Sequence, residues 1–315
     1  MLEILEMISL VAETDSPVLI EGETGTGKEL IARAIHQKSS RRSHEFVAIN
    51  CGALPETLIE DELFGHEKGA FTGASRHRMG KFEYADKGTL FLDEVESISM
   101  QTQVKLLRAI EEMEFQRVGG NETIRVDVRI IAASNVDIAQ AVEGEKFRED
   151  LYYRLNVVNI KVPPLRERKG DIPLLAQNFL RKFRKKLHKD IQTISEDALS
   201  VLTGYHRPGN VRELANVIER TVLMTKKPMI TADEIGFLVN PSVTKSFKRS
   251  KFISDSEPLH EIRKKAVEAA EREYLSLLLK RFKGNVKLVA EQSGMTPRAV
   301  YKKMKKYELT KSSFN

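Results

Sequence analysis

A short apolar run that leads into a glycine-rich loop and then a helical pattern constrains this chain most strongly. Pro17–Ile20 reads Pro-Val-Leu-Ile, Gly22–Lys28 reads Gly-Glu-Thr-Gly-Thr-Gly-Lys, and Lys28–His36 repeats apolar residues at helical spacing. Strand, glycine loop and helix in this order are the context that a phosphate-binding P-loop requires. The glycines let backbone N–H groups turn onto phosphates, and the helix N-terminus adds partial positive charge. The sequence therefore predicts an α/β nucleotide-binding domain with a parallel sheet.

The glycine loop supplies the predicted nucleotide contacts, and its lysine is placed against the β- and γ-phosphates. These contacts are Gly22, Glu23, Thr24, Gly25, Thr26, Gly27, Lys28 and Glu29. Glu29 stands where many P-loops carry the Ser or Thr that binds magnesium, so a bound Mg²⁺ must depend on other ligands. The alternative interpretation is a glycine-rich turn that binds nothing.

An acidic pair follows the next strongly apolar run. Thr89–Leu92 is continuously apolar after its threonine, as expected for a parallel strand covered on both faces, and Asp93 and Glu94 come directly after it. We expect Asp93 to help hold Mg²⁺ and Glu94 to orient and polarise the water that attacks ATP. An Asp-Glu pair at a strand end is otherwise often a helix cap, so this interpretation depends on the P-loop before it.

Between these two motifs lies the hexapeptide Gly69-Ala-Phe-Thr-Gly-Ala74. It has no titratable group and so cannot carry out acid–base chemistry, but a Phe among small residues offers an apolar anchor on a bendable backbone. Taken in isolation, it would equally suit a tight turn with its Phe in the core. The three motifs in this order resemble the bacterial enhancer-binding proteins, the NtrC-like AAA+ activators of sigma-54 RNA polymerase. In that family the hexapeptide touches the sigma factor, which implies a contact surface made of Gly69, Ala70, Phe71, Thr72, Gly73 and Ala74.

The resemblance implies roles for two asparagines at strand ends. Asn50 closes the run Phe46–Asn50 and would be a switch residue that hydrogen-bonds Glu94 and reports the nucleotide state. Its alternative role is to cap the next turn. Asn135 closes the run Val128–Asn135 and would be the sensor I residue near the γ-phosphate.

The resemblance also implies three catalytic or sensing arginines. Arg148 and Arg154 match the arginine fingers that reach the ATP of the adjacent subunit, although an isolated arginine is more often a surface ion-pair partner. Arg212 matches the sensor II residue that reaches back to the phosphates. Arg207 stands where the family usually has Trp before Pro-Gly, so local packing should differ there.

The remaining pattern divides the chain into an ATPase subdomain over 1–168, a helical lid over 169–240, a linker over 241–257 and a DNA-binding domain over 258–315. Within the first, Gln101–Phe115 is predicted to be an amphipathic helix, followed by a turn-rich second surface loop. The lid is predicted to be helical throughout, from Asp171 to about Val239.

The C-terminal domain resembles the Fis type of helix-turn-helix. A long helix over Leu259–Phe282 is followed by two shorter helices, Val286–Ser293 and Pro297–Tyr307. The residues predicted to point inward are Ile262, Ala266, Ala270, Leu277, Leu278, Val300, Met304 and Tyr307. The residues predicted to contact DNA are Thr296, Arg298, Lys302 and Lys305, with Lys303 and Lys306 also facing outward. The alternative is a three-helix capping bundle with a basic face.

Charge and composition limit the partners and the compartment. Residues 258–315 hold fourteen Lys and Arg against six Asp and Glu, whereas residues 1–257 hold 37 against 39, so a polyanion partner is expected at one end. Cys51 is the one cysteine, which fits a reducing cytoplasm. A signal peptide is not recognisable, and no run of about 18 apolar residues predicts a membrane span.

The combined prediction is a cytoplasmic transcription activator that hydrolyses ATP with Mg²⁺ as its metal. It would bind double-stranded enhancer DNA as a dimer, assemble into a hexamer ring, and remodel the closed promoter complex of the sigma-54 RNA polymerase holoenzyme. The alternative is a DNA-binding AAA+ regulator that acts by operator occupancy without touching sigma-54. A general AAA+ unfoldase would leave the hexapeptide unexplained.

Overall fold

The computed structural model describes residues 2–205, 209–239, 259–282, 284–307 and 309. The predicted linker 241–257 and Arg207 lie outside these residues, as do the side chains of Ile262, Ala266 and Ala270. The chain divides into two compact units, Met1–Val239 and Asn240–Asn315.

The strands of the first unit are short, and five of them form its central sheet. In chain order they are β1 (Val18–Glu21), β2 (Phe46–Asn50), β3 (Gly65–His66), β4 (Arg78–Met79), β5 (Thr89–Asp93), β6 (Glu114–Gln116), β7 (Thr123–Arg125), β8 (Arg129–Ser134), β9 (Val158–Lys161), β10 (Thr193–Ile194) and β11 (Met229–Ile230). The central sheet has the order β2-β5-β8-β1-β9, and all of its pairs are parallel. Because parallel strands end at the same edge, Asn50, Asp93 and the P-loop that follows β1 are brought to one side of the sheet.

The helices cover this sheet and form the lid and the C-terminal unit. They are α1 (Leu2–Ala12), α2 (Lys28–Lys38), α3 (Glu56–Phe64), α4 (Lys81–Tyr84), α5 (Met100–Glu112), α6 (Ile138–Glu143), α7 (Glu149–Leu155), α8 (Asp171–Lys186), α9 (Glu196–Gly204), α10 (Asn210–Met224), α11 (Ala232–Val239), α12 (Leu259–Arg281), α13 (Val286–Ser293) and α14 (Pro297–Lys306). Among the described residues, no helix is long and apolar enough to cross a membrane.

Alternating side chains of the central strands fill two cores, one on each face of the sheet. Leu90 and Leu92 of β5 pack with residues of α3, α5 and α7, whereas Phe91 packs with residues of α1 and α2 on the other face. A strand buried on both faces must be apolar at every position, which explains the uninterrupted apolar runs in β1, β5 and β8. Complete burial of each such side chain stabilises the fold by about 1.5–3 kcal/mol.

The prediction of a helix over Gln101–Phe115 is wrong at its C-terminal end. The helix α5 ends at Glu112, Met113 takes a left-handed conformation with φ of 53°, and Phe115 lies in β6, which pairs antiparallel with β7. Phe115 leaves the helix because its ring is buried against two others, those of Phe64 and Phe82, at centroid distances of 5.6 and 5.7 Å. The apolar spacing in the sequence continues the helical period to Phe115, and this spacing carries no information about contacts with aromatic residues far away in the chain.

The lid consists of α8 to α11 around its own apolar core, together with one short strand pair. β10 and β11 pair in parallel, so the prediction of a helical segment throughout is wrong at these residues. Ile194 and Ile230 are both buried in the lid core. Two-residue strands are too short to show a period in the sequence.

The second unit is a compact arrangement of α12, α13 and α14. The predicted inward positions Val300, Met304 and Tyr307 are confirmed, since their side chains are buried. Leu278 is also buried, but the prediction for Leu277 is wrong because its side chain is 61% exposed. The buried face of α12 carries Leu275, Leu278 and Leu279, which are spaced by three and four residues, and Leu277 falls outside this stripe.

Candidate functional site

The P-loop lysine lies at the centre of a group of polar residues from three strand ends. Lys28 is only 6% exposed, and its Nζ donates to the carbonyl oxygen of Gly22 at 2.6 Å and to Oδ1 of Asn135. Asp93 and Glu94 lie close enough to act electrostatically on this ammonium group. The structure therefore brings together the P-loop, the acidic pair and Asn135, as the sequence predicts.

A cavity of about 270 Å³ opens beside these residues. One wall is formed by the P-loop with Asp93, Glu94 and Asn135, and the other comes from the lid. The lid residues that line it are Phe179, Val211, Arg212 and Ala215. Arg212 is exposed and lies at the N-terminal end of α10, so the predicted sensor II arginine does border the cavity.

Burial shifts the pKa values of both charged partners in the cavity. Desolvation lowers the pKa of Lys28, while the nearby carboxylates of Asp93, Glu96 and Glu94 oppose that shift. Desolvation raises the pKa of Asp93, and the Lys28 ammonium opposes it. Each group thus lacks full compensation for its burial, which is the electrostatic condition under which a bound anion and cation are favoured.

Glu94 adopts a strained backbone conformation at the carboxyl end of β5. Its φ of 55° and ψ of 47° are left-handed, a conformation that costs a non-glycine residue about 1–3 kcal/mol and often occurs at functional sites. Its carboxylate lies directly over the backbone of Gly52, where a Cβ atom would come within 2.0 Å of Oε2. A side chain at position 52 would therefore displace this carboxylate.

Asn50 does not hydrogen-bond Glu94 in the described residues. Its Oδ1 instead accepts from the backbone N–H of Ala53 at 2.8 Å and caps the 3-10 turn Cys51–Ala53. The Asn50 oxygen is engaged in this cap, and the backbone of Glu94 directs its carboxylate over Gly52. The structure thus places Asn50 in the alternative role that the sequence left open.

The lid is attached to the P-loop by residues that sequence reasoning missed. Asn210, fully buried, donates through Nδ2 to Glu23 Oε2 at 3.0 Å and to the Thr24 carbonyl at 3.2 Å, and its Oδ1 accepts from Leu165 N–H at 2.7 Å. The carbonyl of Gly25 accepts from the backbone N–H groups of Val211 and Arg212 at 3.0 and 3.3 Å. The available sequence signal was an amide residue directly after a glycine at the start of a helix, at Gly209-Asn210.

Two further arginines connect the P-loop to the segment after β9. Arg166 binds both carboxylate oxygens of Glu23, at 2.7 and 2.6 Å, and Arg168 donates to the Thr26 carbonyl at 2.9 Å. Glu23 is therefore a structural anchor of the loop and shares its carboxylate with Asn210. In the sequence, the run Leu165–Arg168 shows only that it is charged, and nothing in it indicates contacts with the P-loop.

A third acid, Glu96, completes the polar group around Asn135. Its Oε1 accepts from the Asn135 backbone N–H at 3.0 Å, and its Oε2 is buried without a partner among the described residues. The predicted contact Glu29 also lines the cavity, and its carboxylate pairs with Arg33 one helical turn along α2 at 2.8 Å. The sequence could have indicated Glu96, because it is a third acid only two residues after Glu94.

The two predicted arginine fingers lie at the ends of α7 and do not line the cavity. Arg148 pairs with Asp150 at 2.5 Å, and Arg154 donates to the Ile110 carbonyl at 3.3 Å. Both are thus separate from the P-loop of their own chain within the part of the chain that the structure describes.

The hexapeptide forms an exposed loop above a two-residue hairpin of β3 and β4. Backbone bonds hold it internally, from Gly69 N–H to the Ala74 carbonyl at 2.8 Å and from Ala74 N–H to the Phe71 carbonyl at 3.0 Å. Phe71 is 44% exposed and Thr72 is exposed, while Ala74 is buried. The alternative of a core phenylalanine therefore does not hold.

The base of this loop is more strongly held than its tip. The ring of Phe71 meets the buried His66 ring edge-on at 5.0 Å, and His66 Nδ1 pairs with Asp61 at 2.5 Å. The second surface loop joins the base through Arg117, which binds Glu67 at 2.8 Å and Glu83 at 2.6 Å.

The recognition helix α14 divides its basic residues between two directions. Arg298, Lys302 and Lys305 are exposed, whereas Lys303 pairs with Glu271 of α12 at 2.5 Å and Lys306 pairs with Glu268 at 2.8 Å. Lys306 is exposed, as predicted for an outward residue, and Lys303 is half-buried, but α12 supplies counter-charges for both.

The fourth predicted DNA contact, Thr296, caps α14. Its Oγ1 accepts from Ala299 N–H at 3.3 Å, and its side chain is exposed at the start of the helix. This cap explains why the helix begins at Pro297.

Three family models match consecutive parts of the chain. They are the Sigma-54 interaction domain over residues 1–161, the AAA+ ATPase lid domain over 166–251 and the bacterial regulatory proteins of the Fis family over 266–307.

Proteins with similar sequences occur in several bacteria. Transcriptional regulatory protein ZraR of Salmonella typhimurium is 46% identical over 304 residues, which are 96% of this chain and 66% of ZraR. The Nif-specific regulatory protein of Azotobacter vinelandii is 55% identical over 236 residues, 75% of this chain and 45% of that protein. The chain thus spans less than two thirds of the length of these relatives. A crystal structure of NtrX from Brucella abortus in complex with ATP matches with a TM-score of 0.70 and 36% identity, over 97% of this chain and 67% of that one.

Proposed function

Because this chain belongs to the sigma-54 interaction family of AAA+ proteins and carries a Fis-type helix-turn-helix, we propose that it is an ATP-hydrolysing transcription activator. In this proposal it binds enhancer DNA and remodels the closed promoter complex of sigma-54 RNA polymerase in the cytoplasm. The observation that carries the proposal is the convergence of Lys28, Asp93, Glu94 and Asn135 on one cavity bordered by the lid.

ATP fits the cavity by its chemistry. The phosphates would lie on the backbone N–H groups of the P-loop beside Lys28, with Arg212 reaching them from the lid. The base would lie against the apolar lining, which consists of Leu30, Phe179, Val211 and Ala215. An NtrX structure that contains ATP supports this choice of nucleotide.

Magnesium fits the same site through Asp93. The raised pKa of Asp93 reflects a buried carboxylate that Lys28 compensates only in part, so a divalent cation would be favoured there. Within the described ranges, no group of three or more His, Cys, Asp or Glu side chains could hold a metal alone, so phosphate and water oxygens must complete its ligands. When bound, the ion neutralises charge on the β- and γ-phosphate oxygens.

Hydrolysis is assigned to Glu94 and Asn135. Glu94, held over Gly52, would orient and polarise the attacking water, and Asn135 would hold the γ-phosphate side of the site through its contact with Lys28. Asn50 would act at a different stage, in which its Nδ2 group donates to the Glu94 carboxylate, because the Oδ1 atom that accepts from Ala53 N–H cannot donate.

The site is completed by a second copy of the chain in a ring. Arg148 and Arg154 lie away from the P-loop of their own chain, as arginines that serve a neighbouring site must. A mixing experiment tests this: we expect Arg154→Ala and Glu94→Ala subunits to be inactive separately and partly active together, because some interfaces then combine an intact arginine with an intact Glu94. No recovery at any ratio would mean that each chain hydrolyses ATP with its own residues alone.

Sigma-54 contact is assigned to the exposed loop tip at Phe71 and Thr72. The test is co-elution with purified sigma-54, with and without an ADP–metal fluoride transition-state mimic. We expect binding only with the mimic, and we expect Thr72→Ala to abolish it. Absence of binding in every nucleotide state, with ATPase activity intact, would favour regulation by operator occupancy.

DNA contact is assigned to Thr296, Arg298, Lys302 and Lys305. The ion pairs of the other two lysines supply a matched control: Lys302→Ala with Lys305→Ala should weaken enhancer binding far more than Lys303→Ala with Lys306→Ala. Gel-shift titrations at fixed salt measure the difference. Equal losses would mean that the helix meets DNA through a different face.

A further inference from the structure

The C-terminal half of α8 and the turn after it carry an unusual concentration of positive charge. Residues 181–189 include six Lys and Arg and no Asp or Glu, although residues 1–257 as a whole are slightly acidic. Four of these residues, Arg181, Arg184, Lys185 and Lys189, line two adjoining cavities in the lid. We call them the lid cation cluster.

The cluster is one continuous surface. Arg181, Arg184 and Lys185 are spaced by three and four residues and therefore share a face of α8. Lys189 follows the helix, but its backbone N–H bonds back to the Arg184 carbonyl at 3.0 Å. The two cavities measure about 560 and 260 Å³, and Arg184 and Gln192 line both.

Neighbouring cations on the same helix are already compensated, whereas most of the cluster is not. Lys186 pairs with Glu219 at 2.9 Å, and Lys182 lies 5.9 Å from the Phe183 ring. Among the described residues, no acidic side chain pairs with Arg181, Lys185 or Lys189, and Asp190 is the one acid that lines the larger cavity.

The ordinary explanation for such residues is compensation of the helix dipole. One or two cations in the last turn suffice for that effect, which is worth about 0.3–1 kcal/mol each, so it leaves most of this charge unexplained. The cluster also does not resemble a protein interface, which usually has an aromatic or apolar centre. Its apolar lining residues, Leu180 and Ile194, are buried at 4% and 6% exposure.

We propose that the lid cation cluster binds the phosphate backbone of double-stranded DNA without reading its sequence. The proposal rests on the proposed function, since it assumes that the chain works on DNA. Between Arg181 and Lys185 the helix rises by about 6 Å. One DNA strand carries a phosphate for about every 3.4 Å of axis, so two or three phosphates match the cluster. A second contact on the same chain would raise the overall affinity of a helix-turn-helix that is already bound.

The test is the salt dependence of binding by the full chain to a duplex without an enhancer site. The starting variant lacks Arg298, Lys302 and Lys305 of α14, the cations assigned to DNA contact, so that mainly other contacts remain. Into it we introduce Arg181→Gln, Lys185→Gln and Lys189→Gln. Fluorescence anisotropy should show a dissociation constant at least about tenfold higher at 0.1 M salt, and a slope of log K against log salt that is smaller by about 2–3.

The control removes the same charge elsewhere, with Arg42→Gln, Lys87→Gln and Arg108→Gln on exposed positions of the ATPase subdomain. An equal loss of DNA affinity in the control would mean that the effect comes from net charge alone, and it would overturn the proposal. An unchanged slope in the cluster variant would do so as well. Stronger competition by anionic lipid vesicles or an acidic peptide than by DNA, at equal salt, would assign the cluster to a different polyanion.

Two readouts separate this proposal from the proposed function. The cluster variant with an intact α14 should keep its preference for the enhancer over a duplex without the site, and it should keep its ATPase activity, so loss of either would indicate a damaged lid. In that case Lys185→Gln alone, at an exposed position, should still lower the slope by about 0.9. Absence of that single change would also contradict the proposal.

Discussion

Two glycine-rich loops of the same subunit differ in how the protein holds them. The P-loop has its Thr26 and Lys28 side chains buried at 4% and 6% exposure, and it is bonded to β8, to the lid and to the segment after β9. The hexapeptide loop is held mainly by its own backbone bonds, and Phe71 at its tip is 44% exposed. Glycine thus serves opposite purposes in the two places.

The difference can be located at single positions. Gly25 and Gly69 have similar φ values, 80° and 88°, but a Cβ atom on Gly25 would lie 2.5 Å from the Gly209 carbonyl oxygen, whereas one on Gly69 would have no neighbour within 4 Å. The P-loop therefore needs glycine for conformation and for close approach to the lid. The hexapeptide needs it for conformation alone, and this leaves its tip accessible to a partner.

Glu94→Ala should have the largest effect and should affect the P-loop site only. Removal of the group that orients the attacking water should lower kcat by about 10²–10⁴-fold while ATP binding is retained. Phosphate release and titration with a fluorescent ATP analogue measure the two quantities. Near-normal turnover would remove Glu94 from the catalytic role, and Glu96→Ala run in parallel would show whether the neighbouring buried acid carries part of it.

Thr72→Ala should produce the opposite pattern at the other loop. Its side chain is exposed and makes no contact with the nucleotide cavity, so ATPase activity should stay within about twofold, since surface changes away from packed groups have small effects. Open-complex formation at a sigma-54 promoter should be lost. Ser75→Ala, just beyond the hexapeptide, is the matched control and should keep both activities. A loss of ATP binding in Thr72→Ala would instead make the loop structural.

The paired substitutions Gly25→Ala and Gly69→Ala compare the loops directly. A left-handed alanine costs about 1–2 kcal/mol at either position. At Gly25 the overlap of the added methyl group with the lid should lower the free energy of unfolding by about a further 1–3 kcal/mol, and it should weaken ATP binding. The midpoint of the first thermal transition and the affinity for ATP measure both effects. Equal destabilisation of the two variants would show that the lid yields easily to the added methyl group.

The sequence predicts the strand ends that meet at the site, because parallel topology places consecutive apolar runs at one edge. It also predicts Lys28, Asp93, Asn135 and Arg212 around the cavity, since motifs fix their positions within each element. It does not predict Asn210 or Arg166, whose shared partner Glu23 lies more than a hundred residues away in the chain. Such contacts depend on how the lid is placed on the P-loop, and no local period records them.

The same limit applies to charge and to aromatic packing. Lys302 and Lys303 are adjacent in the sequence, but Lys302 is exposed, whereas Lys303 is half-buried and pairs with Glu271 of α12, a contact that the sequence does not show. Phe115 fits the apolar period of α5 but lies in β6, because Phe64 and Phe82 provide a pocket for its ring. Local patterns therefore predict the type of each element well, but they predict poorly which partners an individual side chain contacts.

The smallest expected effect concerns the ring contact between Phe71, at the hexapeptide tip, and the buried His66. His66→Leu and Phe71→Leu, alone and together, form a double-mutant cycle on the edge-on ring pair at 5.0 Å. We expect a coupling energy of about 0.5–1.5 kcal/mol, the usual value for such pairs. It should be measured by amide hydrogen exchange of residues 69–74, which reports loop opening, because global unfolding would also register the lost pair of His66 with Asp61. ATPase activity should be unchanged in Phe71→Leu. A coupling near zero would mean that backbone bonds alone hold the tip, and the two loops would then differ even more than their side chains indicate. A coupling well above this range would make the hexapeptide a packed element, and sigma-54 would have to break a strong contact in order to reach Phe71.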